Sequence, residues 1–210
     1  MANKRIPEST VSRLFLYLRE ISSLLGMNIR TVSSAELGDR VNLSDVQIRK
    51  DLGHVGQFGT SGAGYDTEEL KNELEKILGK NKIWNVAVVG AGHLGYALLT
   101  YPGFKTHNLN MIAAFDSEEK KIGKKIGSVT VQGVSEISKT AKDKKIAIGV
   151  VAVPAESAQG AADKLVSAGI ECILNFAPVA LLVPESVKVK DVDLSRELEA
   201  LSYFLTNNKR

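Results

Sequence analysis

Cysteine is nearly absent from this sequence, which has a single one, Cys172, among 210 residues. A lone thiol cannot form an internal disulfide, which excludes the disulfide-stabilised secreted domains and favours a reducing, cytoplasmic compartment. We expect Cys172, in the apolar run 170–174, to be a small buried hydrophobe rather than a nucleophile. The three histidines, His54, His93 and His107, are scattered without metal-ligand spacing, so the sequence predicts no metal site.

Long apolar runs are missing as well. No run approaches the roughly 18 residues of a membrane span, and the first ten residues lack the apolar core of a signal peptide. The net charge of +3 is only mildly basic, and residues 1–80 contain 11 basic and 11 acidic residues. Bulk charge therefore does not by itself predict a nucleic-acid partner. Hydrophobic residues make up 44% of the chain, enough for the cores of one large or two small domains.

What the sequence does contain is a glycine motif in a credible local context. Residues 86–89 are apolar and rich in β-branched side chains, which is typical of a buried parallel strand. The next six residues, Gly90-Ala91-Gly92-His93-Leu94-Gly95, spell G-x-G-x-x-G and lead into a helix that ends before Pro102. The first glycine permits a tight turn, the second lets a pyrophosphate approach the backbone, and the third allows close helix–strand packing. We therefore predict that these six residues bind a dinucleotide.

A carboxylate follows at the expected distance. Residues 109–115 indicate a second buried strand, and Asp116 ends it about 20 positions after Gly95, where a ribose-binding acid is expected. A carboxylate there accepts hydrogen bonds from a free 2′-hydroxyl and repels a 2′-phosphate. Residues 117–119 supply no cation for such a phosphate. The sequence therefore predicts NAD(H) rather than NADP(H) as the cofactor.

Beyond residue 84 the pattern alternates strands with helices, which is typical of a Rossmann-like, doubly wound parallel α/β sheet. We predict strands at 85–89, 109–116, 129–132, 146–152, 171–175 and 187–192, and helices at 93–101, 134–141, 155–168 and 195–206. The polar, Lys-rich segment 117–128 is predicted to be a loop or an irregular helix.

Four helices are predicted in the first part of the chain, three of them before the glycine-rich segment and one that begins at the cap 66–69. The apolar stripe of the first, which ends near Gly26, consists of Val11, Leu14, Phe15, Leu18, Ile21 and Leu25. Capping boxes at 33–36 and 44–47 then begin two short helices joined by residues 42 and 43. Two short helices after a longer one match a helix-turn-helix.

The second helix of that pair has polar side chains suited to DNA. Arg and Lys can reach guanine in a major groove and Gln can pair with adenine, although an ordinary solvated helix would carry the same charges. On this helix Val46, Ile48 and Leu52 are expected to pack inward. Glycines through residues 54–65 predict a β-hairpin, and helices followed by a hairpin form a winged helix. The predicted DNA-binding residues are Ser44, Gln47, Arg49 and Lys50 on the helix, and Thr60, Ser61 and Gly62 at the tip of the wing.

Catalytic groups are hard to find. Hydride transfer needs a substrate domain and a proton donor, and only about 20 residues follow the nucleotide fold. The Tyr-x-x-x-Lys spacing of Tyr101 and Lys105 lies too early in the fold to match short-chain dehydrogenases. We predict no catalytic residue and no enzyme. The alternatives are a small NAD-dependent oxidoreductase and a coenzyme A-binding module, and Asp116 favours a dinucleotide over the latter.

A winged helix fused to an NAD fold without catalytic groups resembles the bacterial redox-sensing repressor family Rex over about residues 5–205. The segments that carry the resemblance are 32–37 (VSSAEL), 47–52 (QIRKDL), 62–65 (GAGY), 101–104 (YPGF) and 173–178 (ILNFAP). The resemblance implies a winged-helix domain at 1–80, an NAD(H)-binding domain at 81–193 and a dimerisation helix at 194–210 that is exchanged between subunits. It also implies a homodimer that binds a palindromic operator when NADH is scarce and releases it when NADH binds.

Residue roles follow from the same resemblance. It places Arg49 and Lys50 in the major groove and gives Arg13, Tyr101 and Asp193 contacts that change between the two states. We expect the segments Tyr101-Pro102-Gly103-Phe104 and Asn175-Phe176-Ala177-Pro178 to form walls around the nicotinamide, with Asp193 nearby. The chain departs from the family at Ser61, where many members have a basic residue, and at Leu194, where some have an aromatic one.

Overall fold

The computed structural model describes residues 6–56, 58–59 and 64–207, and the chain divides into two compact units, Met1–Lys82 and Ile83–Arg210. The sequence analysis expected this division after residue 80. The segment expected to be a separate dimerisation helix, 194–210, belongs to the second unit.

The first unit is built from helices and a small antiparallel sheet. In chain order its described elements are α1 (Glu8–Gly26), β1 (Thr31–Val32), α2 (Ser34–Val41), α3 (Asp45–Gly53), β2 (Tyr65–Asp66) and α4 (Thr67–Ile77). Each helix contributes a fully buried side chain to one core, among them Leu14, Leu37, Ile48 and Leu74.

The buried stripe of α1 differs from the prediction. Tyr17 and Leu24 are buried, whereas Phe15 is exposed and Val11 and Leu25 are only half-buried. The spacing of apolar residues fits both choices, so it could not decide between them. Tyr17 can be buried because its hydroxyl donates a hydrogen bond to Asp51, which offsets the cost of removing that hydroxyl from water.

Helices α2 and α3 form the predicted helix-turn-helix. Ser33 Oγ accepts from the backbone N–H of Glu36, and the Glu36 carboxylate accepts from the N–H of Ser33, so the first capping box is confirmed. Ser44 Oγ caps α3 by accepting from the N–H of Gln47. The Gln47 side chain does not return to Ser44 but donates to Asp51, so the second box is only half formed.

The predicted hairpin at 54–65 is described only in part, since its tip, Thr60-Ser61-Gly62, lies outside the described residues. Tyr65 pairs with Val32, and Asp66 pairs with Thr31. The strand that follows the tip therefore pairs with the connection between α1 and α2.

The second unit is a seven-stranded sheet flanked by helices. Its strands are β3 (Trp84–Val89), β4 (Leu109–Asp116), β5 (Lys125–Ile126), β6 (Val129–Gly133), β7 (Ile146–Val151), β8 (Cys172–Asn175) and β9 (Lys188–Asp191). Its helices are α5 (His93–Thr100), α6 (Gly103–Thr106), α7 (Ile137–Asp143), α8 (Ala155–Ser167) and α9 (Leu194–Asn207), with a 3₁₀ turn at Val134–Glu136.

Strand order confirms the predicted parallel, doubly wound architecture. The order is β5-β6-β4-β3-β7-β8-β9, and every neighbouring pair is parallel except β5 with β6. The prediction for residues 117–128 was incomplete because the segment contains the antiparallel edge strand β5, which is too short to show an alternating pattern. Helices α7 and α8 cover one face of the sheet, around Phe115 and Leu165, and α5 covers the other, around Val88 and Leu99.

Two surfaces of this unit leave apolar atoms exposed. Cys172, expected to be buried, is exposed and lines a largely apolar groove of about 280 Å³ with Phe104, Met111 and Ile148, on the face that α5 covers only in part. Helix α9 has no buried residue along its length, although Leu198, Leu201, Phe204 and Leu205 are all apolar. Among the described residues, no helix combines the length and the apolar character needed to cross a membrane.

Candidate functional site

The glycine turn between β3 and α5 has the geometry that a dinucleotide requires. Gly90 has φ 104°, a left-handed conformation that favours glycine, and a Cβ there would overlap the carbonyl oxygen of Ala152. A Cβ on Gly95 would overlap the carbonyl oxygen of Gly90, so only glycine lets α5 approach the strand this closely. A Cβ on Gly92 would meet nothing within 4 Å, which leaves open space beside the start of α5. Each glycine thus has a different physical role, as the motif predicts.

Asp116 joins the turn to the end of β4. Its carboxylate is 7% exposed and accepts from the N–H of Ala91 (2.8 Å) and from the N–H of Glu118 (2.9 Å). Because Ala91 donates its N–H to this carboxylate, that group is not available to a phosphate. By the geometry of an α-helix, the N–H groups of His93 and Leu94 at the start of α5 lack intrahelical acceptors. They can therefore donate hydrogen bonds to a phosphate.

A cation that the sequence analysis missed lies at the same carboxylate. Lys121 Nζ is 3.2 Å from Asp116 Oδ2 and 2.7 Å from Glu118 Oε2. The sequence analysis considered only residues 117–119, whereas the turns after β4 bring the chain back so that residue 121 faces residue 116. Lys120 Nζ also lies 2.6 Å from Glu118 Oε1, so the two carboxylates and two lysines carry no net charge. They therefore disfavour a 2′-phosphate less strongly than an isolated pair of acids would.

A cleft of about 560 Å³ begins at the glycine turn, a volume within the usual range for small-molecule sites. Gly90 and Gly92 line it, and so do Asp116 and Lys121. The rest of the lining comes from the end of β3, from residues beside Asp116, from the 3₁₀ turn, from the segment that leads into α8 and from α8 itself. These residues are Val89, Ser117, Glu118, Val134, Ala152, Val153, Pro154, Ser157, Gly160, Ala161 and Lys164.

The residues predicted to surround a nicotinamide do not line this cleft. Tyr101 is 58% exposed, and its ring meets Phe104 edge-on at a centroid distance of 5.1 Å, over Gly103. A Cβ on Gly103 would collide with the Tyr101 ring, so Pro102-Gly103 allows the two aromatic rings to meet. The Tyr101–Phe104 pair therefore forms a separate aromatic surface beyond the end of α5.

Asn175 is fully buried, and its side chain forms hydrogen bonds with the loop that follows β8. Its Nδ2 donates to the carbonyl oxygens of Ala177 and Val179 and to Asp191 Oδ1, and its Oδ1 accepts from the N–H of Ala177. With both ends of the amide engaged, this side chain shapes the loop. Asp193 caps α9, where its Oδ1 accepts from the N–H groups of Ser195 and Arg196.

Helix α3 presents a mixed polar surface. Arg49 is held by Asp45 (2.7 Å) and by Ser34 Oγ (3.0 Å), and its guanidinium lowers the pKa of Asp45. Lys50 is exposed and makes no hydrogen bond or ion pair with the described residues. Val46, which was expected to pack inward, is 61% exposed, so that expectation was wrong. An exposed apolar side chain beside cations suits contact with a thymine methyl group.

The buried end of α3 contains a polar cluster that the sequence analysis did not foresee. Asp51 is 1% exposed and accepts from Arg13 Nε and Nη2 (2.6 and 2.8 Å), Tyr17 Oη (2.6 Å), Thr10 Oγ1 (3.2 Å) and Gln47 Nε2 (2.8 Å). Burial alone would raise the pKa of the Asp51 carboxyl, but these hydrogen bonds outweigh it and lower the pKa to about 2. Among the described residues no group of three or more His, Cys, Asp or Glu could hold a metal ion.

Models of known protein families match segments of both units. The family model "Putative DNA-binding protein N-terminus" matches residues 5–53, and "CoA binding domain" matches residues 81–179. The redox-sensing transcriptional repressor Rex of Chloroflexus aurantiacus is 44% identical over 203 residues, which cover 97% of this chain and 96% of that protein. The chain belongs to the Rex family. Rex proteins are transcriptional repressors and not enzymes, which decides against the oxidoreductase alternative.

Solved structures of a Rex-family repressor, RSP, resemble this chain along its length. RSP in complex with β-NAD⁺ and operator DNA has a TM-score of 0.93 at 38% identity, covering 98% of this chain and 95% of that one. RSP in complex with β-NADH has a TM-score of 0.86 at 37% identity, covering 97% and 96%. The combination of an N-terminal helical DNA-binding domain with a Rossmann-like domain and a C-terminal helix is therefore a Rex architecture.

Proposed function

We propose that this Rex-family chain binds operator DNA through α3 and NAD(H) in the cleft beside the glycine turn, and that NADH weakens its hold on DNA. The observation that carries the proposal is the joint geometry of Gly92 and Asp116. One leaves open space at the start of α5, and the other presents a carboxylate at the ribose position. RSP, which has the same fold, has been solved with both redox forms of the cofactor.

The DNA-binding surface that we propose is centred on α3. Lys50 is free to reach a base or a phosphate, and Arg49 can exchange Asp45 and Ser34 for a base edge. Ser44, Gln47 and the wing tip, residues 60–62, complete the proposed surface. A repressor that binds operator DNA acts where the bacterial chromosome is, so we assign it to the cytoplasm.

We further propose a homodimer that binds a palindromic operator. Helix α9 is exposed throughout and carries an apolar stripe, so it needs a partner surface. Exchange of this helix between two copies would bury the stripe. It would also place two α3 helices on half-sites one DNA turn apart or a multiple of it.

Discrimination between NADH and NAD⁺ has to come from the nicotinamide, because the two ligands share every phosphate and ribose contact. The oxidised ring is a cation, and burying it against apolar walls without an anion is unfavourable. We assign those walls to Tyr101-Pro102-Gly103-Phe104 and to the loop that Asn175 shapes. Because these residues lie outside the cleft at the glycine turn, the proposal places the adenosine end of the ligand in that cleft and the nicotinamide end beyond it. NADH is then the tighter ligand.

Polar contacts that differ between the two states would carry the change to the DNA-binding unit. We propose that Arg13 and Tyr101 compete for Asp193 in the dimer. In the present structure Arg13 is hydrogen-bonded to Asp51, which it would leave in order to bind Asp193. Asp193 caps α9 with one oxygen, Oδ1, so its other oxygen can accept the new bond.

The test is operator binding followed by fluorescence anisotropy at fixed ionic strength, first without nucleotide and then with NADH. We expect specific binding to a palindrome and its loss when NADH is added. Failure to bind any operator selected from random DNA would refute the DNA-binding part. Operator binding that stays unchanged when NADH is added would refute the redox-sensing part.

A further inference from the structure

The Asp51 carboxylate controls which end of the Gln47 side chain faces outward. Five hydrogen bonds from four side chains converge on its two oxygens, and one of them comes from Gln47 Nε2 at 2.8 Å. A carboxylate accepts hydrogen bonds and cannot donate them, so the amide nitrogen of Gln47 has to face it. If the amide were flipped, its carbonyl oxygen would lie against the anion.

The same cluster fixes α3 against α1. Arg13 and Tyr17 lie on α1, whereas Asp51 and Gln47 lie one turn apart on α3. A fork-shaped guanidinium with two bonds to one carboxylate restricts rotation of the helix as well as its distance. Charge-assisted hydrogen bonds of this kind are among the stronger ones in proteins. While Arg13 stays bonded to Asp51, Gln47 is therefore attached to a rigid point, although its neighbours Val46 and Lys50 are exposed.

We propose that Asp51 is a positioning residue for base recognition, which holds Gln47 so that its side-chain carbonyl oxygen is presented to the major groove. This inference rests on the proposed function, since it takes α3 to be the helix that enters the groove. An outward oxygen accepts a hydrogen bond, and the exocyclic amino groups of adenine and cytosine are the donors that the major groove offers. Gln47 then recognises an amino group.

The first experiment finds the base pair that Gln47 contacts. Operators are selected from random DNA with the parent protein and with Gln47→Ala, and the position where the two preferences differ is identified. At that position the adenine or cytosine is replaced by an analogue that lacks the exocyclic amino group. We expect the parent to lose about tenfold in affinity and Gln47→Ala to lose nothing further. A loss produced only by analogues that lack a major-groove acceptor, such as a 7-deaza purine, would overturn the proposal.

The second experiment separates positioning from folding. Asp51→Asn is expected to relax the preference at the Gln47 position and to have no further effect there in the Gln47→Ala background. Tyr17→Phe removes a donor from the same carboxylate but leaves the Gln47 bond, so it is expected to lower the melting temperature with the base preference unchanged. Asp39→Asn, on the exposed side of α2, controls for the loss of one negative charge near DNA.

The outcomes distinguish this inference from the function it rests on. If the parent selects no operator, the proposed function fails. If the parent selects one but Asp51→Asn and Gln47→Ala change different base pairs, only the positioning role fails. If Asp51→Asn does not fold, the analogue experiment with the parent and Gln47→Ala still decides which atom of Gln47 faces the base.

Discussion

Replacement of Asp116 by asparagine tests the cofactor site at its most specific point. The change keeps the shape of the side chain but removes the charge that we expect to bind the ribose. A hydrogen bond to a charged group contributes about 1.5–3 kcal/mol, which corresponds to roughly 10- to 150-fold in affinity. We therefore expect NADH to bind Asp116→Asn at least about tenfold more weakly than the parent.

The structure adds a second consequence. Asp116, Glu118, Lys120 and Lys121 together carry no net charge, and the substitution brings this to +1 while both lysines stay in place. NADPH, with its additional phosphate, should therefore gain affinity relative to NADH. Lys121→Met removes a positive charge and should lower the affinity for NADPH relative to NADH. At about 4 Å in a water-like medium a unit charge is worth about 1 kcal/mol, so rejection of NADPH should grow several-fold.

Titration calorimetry with NADH and NADPH on each variant measures both effects. Asp143→Asn is the matched control, because this exposed residue at the end of α7 lies just before β7, and hence at the amino ends of the strands, away from the cleft. A parent that binds NADPH as tightly as NADH would refute the role of Asp116. So would an Asp116→Asn variant with unchanged NADH affinity.

Three further predictions concern the DNA-binding helix, the dimer and acid stability. Lys50→Ala should weaken specific operator binding by one base contact, roughly 1–3 kcal/mol, with NADH affinity unchanged; unaltered affinity and base preference would remove Lys50 from the interface. Deleting residues 195–210 should abolish the dimer in sedimentation, and a well-folded dimer would contradict the role of α9. The pKa of Asp51 is lowered to about 2 from 3.8, so its carboxylate stabilises the fold fully above about pH 4. That contribution, about 2 kcal/mol at 1.36 kcal/mol per pKa unit, should be lost between about pH 4 and 2, and Asp51→Asn should show no such loss in urea unfolding.

The sequence predicted those parts of the fold that depend on local chemistry. The glycine turn, the Ser33–Glu36 capping box and the helix-turn-helix follow from short patterns whose causes are steric or involve neighbouring hydrogen-bonding groups. The buried parallel strands follow from continuous apolar runs, because such strands are covered on both faces. These predictions required no knowledge of which distant residues meet.

The parts that the sequence could not predict depend on distant contacts. The sequence analysis gave Asp51 no role of its own, and only the packing of α1 against α3 brings Arg13 and Tyr17 to it, 38 and 34 positions away in the chain. Lys121 reaches Asp116 through turns that have no periodic signature. Cys172 was predicted to be buried from its apolar neighbours, yet the sheet face it lies on is covered only in part.

The most direct test of the account is the affinity for NADH measured with and without bound operator. Coupling between two ligands is reciprocal, so the factor by which NADH weakens DNA binding must equal the factor by which DNA weakens NADH binding. Moving the proposed dimer from 1:99 to 99:1 in the ratio of its DNA-free to its DNA-binding state requires NADH to prefer the DNA-free state by about 5.5 kcal/mol. Two sites per dimer can share this preference. We predict a large, equal factor in both directions for NADH and a much smaller one for NAD⁺. Equal displacement of operator by the two nucleotides at the same fractional saturation, or no displacement by either, would contradict the account.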